Sequence, residues 1–570
     1  MMNTNTFGLK NKEKGRILFF LGSVLIAALY IWRLRYGNAE LDEAFYMTIP
    51  FRMLKGDTLL MDEWHVTQLS GFLLTPFMAL QRLLVGSMEG VALNFRIFWL
   101  IEHLAVMTLV YFLLEKRARF AAAAAAWIYG LFTPFGIMAL SYNSMGVDAV
   151  FLLAVLFYLG HCSAAADIFK GFLLAVMVLC NPYTLGIYAA LMLLALVHGI
   201  LRRQTQLSGI HVLRWHLGIL ILLIPFTVHV LSGMDSVSAL MAQLRHILYD
   251  PAHGKKEFFS SSLQWIKSVQ KWNPEFFRAY TPLLLAGLII RRWRPGILSA
   301  IMLLCAYYVL RDARYFMYIW DGNSMVLFAC FAGAAAFLFS EKKELRALLC
   351  VFALPFCYAL CINMASNQAL RSVLSAFMPA CCLSMILLED YCRAHTAMIR
   401  CAKLRIPYLA AAAVLALCVQ LSAQSYIRLF QVFWEWEPPR AMTASIEEGP
   451  LKGIATTPQK KSEYERLCRE IEQLGNLENK QIAFFQSVPI GFLIADAQMG
   501  SPSAWMEFDN LRDERLAAYY QLNPQNKPDI LFVDRLSLNE WSEEQYAGYA
   551  AENGYMIERS NDRCVVMLRK

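Results

Sequence analysis

Charge is scarce in this chain. Asp, Glu, Lys and Arg make up 17% of its 570 residues, against 58% hydrophobic residues. A water-soluble globular protein carries roughly a quarter charged and about half apolar residues, so that class is excluded. The 14 cysteines show no metal-ligand spacing, and most of them (Cys305, Cys330, Cys357, Cys381, Cys382) lie in apolar runs, where a thiol behaves as a small hydrophobe. Only Cys468 and Cys564 fall in the polar C-terminal part, where an extracytoplasmic location would let them pair. Nucleotide-phosphate loops, internal repeats and low-complexity tracts are also missing. The first apolar run has no small-residue cleavage site, so it is expected to be a retained anchor rather than a cleaved signal. The net charge of +8 calls for no nucleic-acid partner, because the basic residues cluster in short loops beside apolar runs.

What is present is a succession of apolar blocks of membrane-spanning length. Spans are expected near 17–32, 95–114, 120–140, 147–159, 168–180, 185–201, 217–231, 281–290, 297–310, 325–339, 348–362, 373–388 and 409–423. Alternating these runs puts Lys10–Arg16, Lys116–Arg119, Arg202–Arg214, Arg291–Arg294, Lys342–Arg346 and Arg393–Arg405 on one side. The positive-inside bias makes that side, and the N-terminus, cytoplasmic. The odd number of spans then leaves the C-terminal part outside, in a multi-pass cell-membrane protein. Phe45–Leu54 and Leu69–Leu84 read as amphipathic stretches, and the second is expected to lie at the interface, because spanning would expose Lys116–Arg119 on the outer side.

The composition changes after about Ser425. Helices are expected over Lys461–Leu474 and Glu540–Ala551, and buried strands over Gln481–Phe485 and Asp529–Val533. A closing strand pair is expected over Tyr555–Ser560 and Cys564–Arg569. The fold class is therefore a polytopic α-helical membrane protein with a C-terminal extracytoplasmic α/β domain. Residues 1–424 form the transmembrane domain, with a long acidic first outer loop at 33–94, and residues 425–570 form the soluble domain.

The acids of that first loop are the strongest chemical signal, because carboxylates beside a bilayer are expensive unless they meet water, cations or a reaction. Asp42-Glu43 follows the first span, and Asp62-Glu63-Trp64-His65 with Gln68 follows Gly56-Asp57. Such acids can deprotonate an acceptor hydroxyl or hold a divalent cation, Mg or Mn, that neutralises a leaving phosphate. The competing readings are a helix cap, a solvated loop pair and a hydrogen-bonded histidine. The second outer loop offers Tyr142, Asn143 and Asp148. Arg96, Arg311, Arg314 and Arg371 stand at outer helix ends against the usual charge bias. Lipid-linked phosphate suits their guanidinium forks, and snorkelling to headgroups is the alternative.

The order of an N-terminal span, Asp42-Glu43, Gly56-Asp57, an interfacial helix and Arg96 resembles the GT-C superfamily of membrane glycosyltransferases. In pattern it is similar to the protein O-mannosyltransferases and the lipid A aminoarabinose transferases. The resemblance implies a polyprenyl-phosphate sugar donor, Asp42 as catalytic base with Glu43 beside it, and substrate contacts at Arg96 and Asp148. The Glu-Lys-Pro segment of aminoarabinose transferases is absent, with Asp62-Glu63-Trp64-His65 in its place, which argues against that reaction. The expected activity is inverting sugar transfer on the outer face to a glycan, lipid or protein acceptor. The alternatives are a lipid-linked-glycan transporter or polymerase-like protein, and a scaffold displaying the C-terminal domain.

Overall fold

The computed structural model describes residues 4–37, 39–201, 205–248, 258–314, 322–366, 373–395, 399–401, 404–432, 437–485, 488–505, 511, 514–535 and 541–570. Its first four helices are α1 (Thr4–Arg33), α2 (Asp42–Leu54), α3 (Ser70–Val85) and α4 (Val91–Leu114). Next come α5 (Arg119–Gly130), α6 (Tyr142–Leu159), α7 (Ala164–Cys180), α8 (Leu185–Leu201) and α9 (Thr205–Ser232). They are followed by α10 (Val237–Ile247), α11 (Phe258–Trp272), α12 (Pro274–Ile289), α13 (Arg294–Arg314) and α14 (Gly322–Phe339). The bundle closes with α15 (Leu345–Ala365), α16 (Met378–Ala394) and α17 (Tyr408–Phe430). Among the described residues, eight helices are long and apolar enough to cross a membrane. The chain is a multi-pass helical membrane protein.

Among the boundaries that differ from the sequence reading, three bear on the argument. The run expected to span 120–140 leaves its helix at Gly130, ahead of Pro134 and of Phe135, whose φ is +57°. The expected outer loop at 141–147 is instead the first turns of α6, because Ser141 caps that helix reciprocally with Ser144. The last bundle helix continues to Phe430, beyond the expected boundary at 424.

Helix α3 has 16 residues and exposes Leu80, Leu83, Leu84 and Val85, an apolar edge that suits the membrane interface. Helix α2 is not an interfacial helix: every residue from Glu43 to Arg52 is buried. Helices α3, α4 and the head of α6 cover it together with the C-terminal domain.

The basic ends of the bundle gather on one face. Arg16 holds Glu115 at the end of α4 (2.6 Å), and Arg117 forks onto Asp390 (2.9 and 2.7 Å). Arg393 pairs with Glu389, and Arg294 donates to the Phe339 carbonyl at the end of α14. On this face Asp167 of α7 lies between Lys170 (3.0 Å) and His211 of α9 (2.6 Å). Below this cluster the two helices touch backbone to backbone. Gly171 packs against the Trp215 backbone and Gly218 against the Ile168 carbonyl, the close approach that small residues permit in membrane helices.

The C-terminal domain sits on the opposite face. Its sheet comprises β1 (Gln481–Phe485), β2 (Gln498–Met499), β3 (Ile530–Asp534), β4 (Tyr555–Ser560) and β5 (Cys564–Arg569), in the order β2-β1-β3-β5-β4. Strand β1 runs parallel to both β2 and β3, while β3/β5 and β5/β4 are antiparallel. Two helices expected here are observed at Pro458–Glu472 and Glu543–Asn553. Cys468 and Cys564 are both free thiols, and Cys564 Sγ instead contacts the Glu470 carboxylate at 3.6 Å.

The α7–α9 contact gives a stability prediction. A Cβ on Gly218 would overlap the Ile168 carbonyl oxygen, whereas one on Gly186 meets nothing within 4 Å. Gly218→Ala is expected to cost about 1–3 kcal/mol of stability. Gly186→Ala should be neutral or slightly stabilising, and thermal unfolding of the two variants in detergent compares them.

Candidate functional site

The first loop is built around two buried arginines. Arg96, at the start of α4, is 2% exposed and its donors all go to protein groups. Nε and Nη2 fork onto Glu43 (2.8 and 3.0 Å), Nη1 reaches the Leu34 and Tyr36 carbonyls, and Nη2 also reaches Gly37 O. These carbonyls lie just past the C-terminus of α1, where a helix leaves acceptors unsatisfied. Arg96 therefore ties α1, α2 and α4 together, and the structure gives it this holding task rather than the expected substrate contact. Glu43, 5% exposed, is its counter-ion.

Arg52, fully buried at the end of α2, is the second anchor. Its Nε holds Asp57 at 2.6 Å, Nη1 holds Glu63 at 2.9 Å, and Nη2 approaches Tyr519 Oη of the C-terminal domain at 3.4 Å. Burial pushes the Asp57 carboxyl up to about 6, although Arg52 pulls the other way. Asp62 caps the turn by accepting from Thr58 N (2.7 Å) and from Asn526 Nδ2 (2.7 Å), while Tyr519 Oη donates to the Asp62 carbonyl at 2.9 Å. Trp64 donates from its backbone N to Pro502 O (2.8 Å) and from its indole to Gln243 of α10 (2.6 Å), and it stacks on His246 with ring centroids 4.7 Å apart.

These contacts reassign the second acidic group. Asp62 and Trp64 fasten the loop to the C-terminal domain and to α10, while Glu63 holds Arg52 and accepts from His65 N at 2.9 Å. His65 shares a 2.7 Å hydrogen bond with Thr67 and packs edge-on against Phe45. Gln68 accepts from Leu60 N at 2.6 Å. The described residues contain no group of three or more His, Cys, Asp or Glu suited to a metal ion.

A second cluster lies where the heads of α2 and α6 meet. Asp42 is the first residue of α2, half-buried, where the helix dipole favours negative charge. Tyr46, one turn on, lies within its electrostatic reach, accepts from Asn143 Nδ2 at 3.3 Å and packs edge-on against Tyr142 (centroids 5.4 Å). Burial, with Tyr142 and Asp42 adding to it, pushes the Tyr46 phenol well above its ordinary value, so it stays a hydrogen-bond donor. Phe45, on the neighbouring side of α2, packs against Trp505 of the C-terminal domain (4.9 Å). The structure thus gathers Asp42, Tyr142 and Asn143 around Tyr46, with Trp505 on the Phe45 side of the same helix. Tyr46 lay on the same helix face as Asp42, four residues on, which is the signal that could have found it. Nothing in the sequence points to Trp505, 463 positions away from Asp42 by numbering.

The remaining expected residues lie elsewhere. Asp148 is inside α6, accepts from Tyr129 Oη at 2.7 Å, and neighbours Glu102 of α4 rather than Asp42. Sequence reasoning missed Glu102, whose signal was a lone acid within the long apolar run of α4. Arg311 turns to its neighbour Asp312 (3.1 Å) and lies over the Tyr308 ring. The Arg314 side chain and Arg371 lie outside the described residues.

No family model and no curated protein matches the sequence. Two solved structures of ArnT from Cupriavidus metallidurans are similar over 97% of this chain and 97% of theirs. The one bound to undecaprenyl phosphate has 11% identity and a TM-score of 0.45. The one in the apo state has 12% identity and a TM-score of 0.45. Likeness at that level transfers no residue's role to this chain.

The Arg96 anchor can be tested on its own. Arg96→Met strands Glu43 in the interior and is expected to cost about 3–5 kcal/mol. Adding Glu43→Leu should recover part of the loss, since no charge is then left alone. The coupling is read from a double-mutant cycle of thermal midpoints.

Proposed function

We propose that this protein is a membrane glycosyltransferase of the GT-C type, moving a sugar from a polyprenyl-phosphate donor to a glycan, lipid or protein acceptor. The observation that supports it most is the convergence of Asp42 with Tyr46, Tyr142 and Asn143 at two helix heads, beneath the C-terminal domain. A carboxylate there can take the proton of an acceptor hydroxyl, and the surrounding phenols and amide can orient the sugar. The acceptor oxygen would attack the anomeric carbon as the phosphate leaves, inverting that centre; one base and one good leaving group suffice. The basic ends of the bundle support a cytoplasmic N-terminus, with the site and the C-terminal domain on the extracytoplasmic side.

A lipid-linked-glycan transporter is the second reading, and one observation favours it. Glu102 and Asp148 are acids within membrane-length helices, where transporters place theirs. The two readings differ in whether a covalent product forms.

Asp42→Asn in proteoliposomes supplied with polyprenyl-phosphate sugar is expected to lower transfer by about 10²–10⁴-fold, the usual worth of a positioned base. Transfer at the wild-type rate would remove Asp42 from the mechanism. Movement of lipid-linked glycan with no product formed would favour the transporter.

A further inference from the structure

Glu102 and Asp148 meet inside the bundle, away from the Asp42 cluster. Both line a cavity of about 630 Å³ whose other walls are mainly apolar, with Phe72, Phe77, Phe169 and Phe172 among them. Asp148 is 5% exposed. Its Oδ1 is satisfied by Tyr129, but its Oδ2 and Glu102 Oε2 are buried without a donor, although the two carboxyl groups lie within hydrogen-bonding reach of each other. An ionised carboxylate only accepts, so two of them cannot satisfy one another. One proton between them turns one group into a donor and resolves both orphan oxygens.

The surroundings supply no other remedy. The titratable groups that face the pair are Tyr129 of α5, Cys180 of α7 and Tyr358 of α15, with His229 of α9 across the cavity and His103 beside Glu102 on α4. His229 accepts from Leu59 N through Nε2 (3.2 Å), so that nitrogen carries no proton. His103 Nε2 is turned away to Gly130 O at 3.1 Å. Among the described residues, no lysine or arginine acts on either carboxyl. Two like charges side by side in a low-dielectric interior are strongly disfavoured, and a shared proton removes one of them.

We propose that Glu102 and Asp148 form a one-proton binding site, an acid–carboxylate pair that joins α4 to α6 in the wall of the apolar cavity. The proton comes from water and is held between Glu102 Oε2 and Asp148 Oδ2, while Tyr129 Oη donates to Asp148 Oδ1. The pair then carries a single negative charge. Losing the proton would leave two acceptors facing each other, and the wall would have to part or admit water or a cation.

The site can be read without any assay of sugar transfer, so its failure and that of the proposed reaction are separable. Infrared spectra of the purified full-length protein in detergent at neutral pH are expected to show a protonated-carboxyl C=O band. Glu102→Gln and Asp148→Asn should each abolish the band, because either amide replaces the protonated partner as donor. Both amide variants should keep a thermal midpoint near that of wild type, whereas Glu102→Ala, which leaves Asp148 Oδ2 without a donor, should lower it. Absence of the band from the wild-type protein at neutral pH would overturn the proposal. So would a band that survives in both amide variants, or a large gain in stability from Glu102→Gln, the mark of relieved repulsion between two charges. Should the variants fail to fold, the wild-type spectrum alone decides.

Discussion

The position of everything at the domain-bearing end of the bundle depends on one buried guanidinium. Arg96 fills the acceptors left open beyond α1 and clamps Glu43 in the first turn of α2. Helices that also pack directly, as Tyr30 of α1 does against Trp99 of α4 (5.1 Å), are thereby tied at a common polar point. A buried ion pair is weak evidence for net stability, because desolvation offsets the attraction. Its clearer effect is geometric, because the fork accepts only one arrangement of carboxylate and carbonyls. Asp42 precedes Glu43 in the chain, so the clamp on Glu43 also restricts where Asp42 can stand.

The same logic is repeated at the other end of α2. Arg52 gathers Asp57 and Glu63, and through Tyr519 the polar groups of the first loop become the docking surface for the C-terminal domain. Lys55 and Arg82 reach Asp496 on the same side (both 2.8 Å). Those last two pairs are partly exposed and contribute little by themselves. The buried set is different, since each charge would be stranded without the others. The domain is thus attached through α2, the helix that carries Asp42 at its head, and its Trp505 packs against Phe45 on that helix.

Much of this architecture was legible in the sequence. Apolar run length located the helices, and charge bias gathered Arg16, Arg117, Arg294 and Arg393 on one face, where the structure also puts them. The strand pair Tyr555–Ser560 and Cys564–Arg569 was read to the residue, because alternation and a short polar turn leave few options. Roles within the first loop were not legible. Asp42, Glu43, Asp57, Asp62 and Glu63 are one chemical type within a short stretch, and sequence gives them equal standing. What separates them is which cation or amide faces each one, and those partners come from Arg96, Arg52 and Asn526, the last more than 450 positions away in the chain. Composition also concealed Glu102, because a single acid hardly changes the hydropathy of a long apolar helix.

The acids of this protein show why environment, and not residue type, assigns the work. Asp42 stands at a helix N-terminus, half-buried, where backbone N–H groups and the dipole support a negative charge. Glu102 and Asp148 stand in mid-helix, where every backbone N–H is already bonded within the helix and no cation is at hand. A carboxylate in the first setting has its negative charge supported by the helix end. A pair in the second setting is driven to hold a proton for itself. The two settings are separated along α6: its head presents Asn143 to the Asp42 cluster, and its interior presents Asp148 to the cavity. A shift of that helix would be felt at both places, so the wall of the cavity and the head of the site share one rigid support.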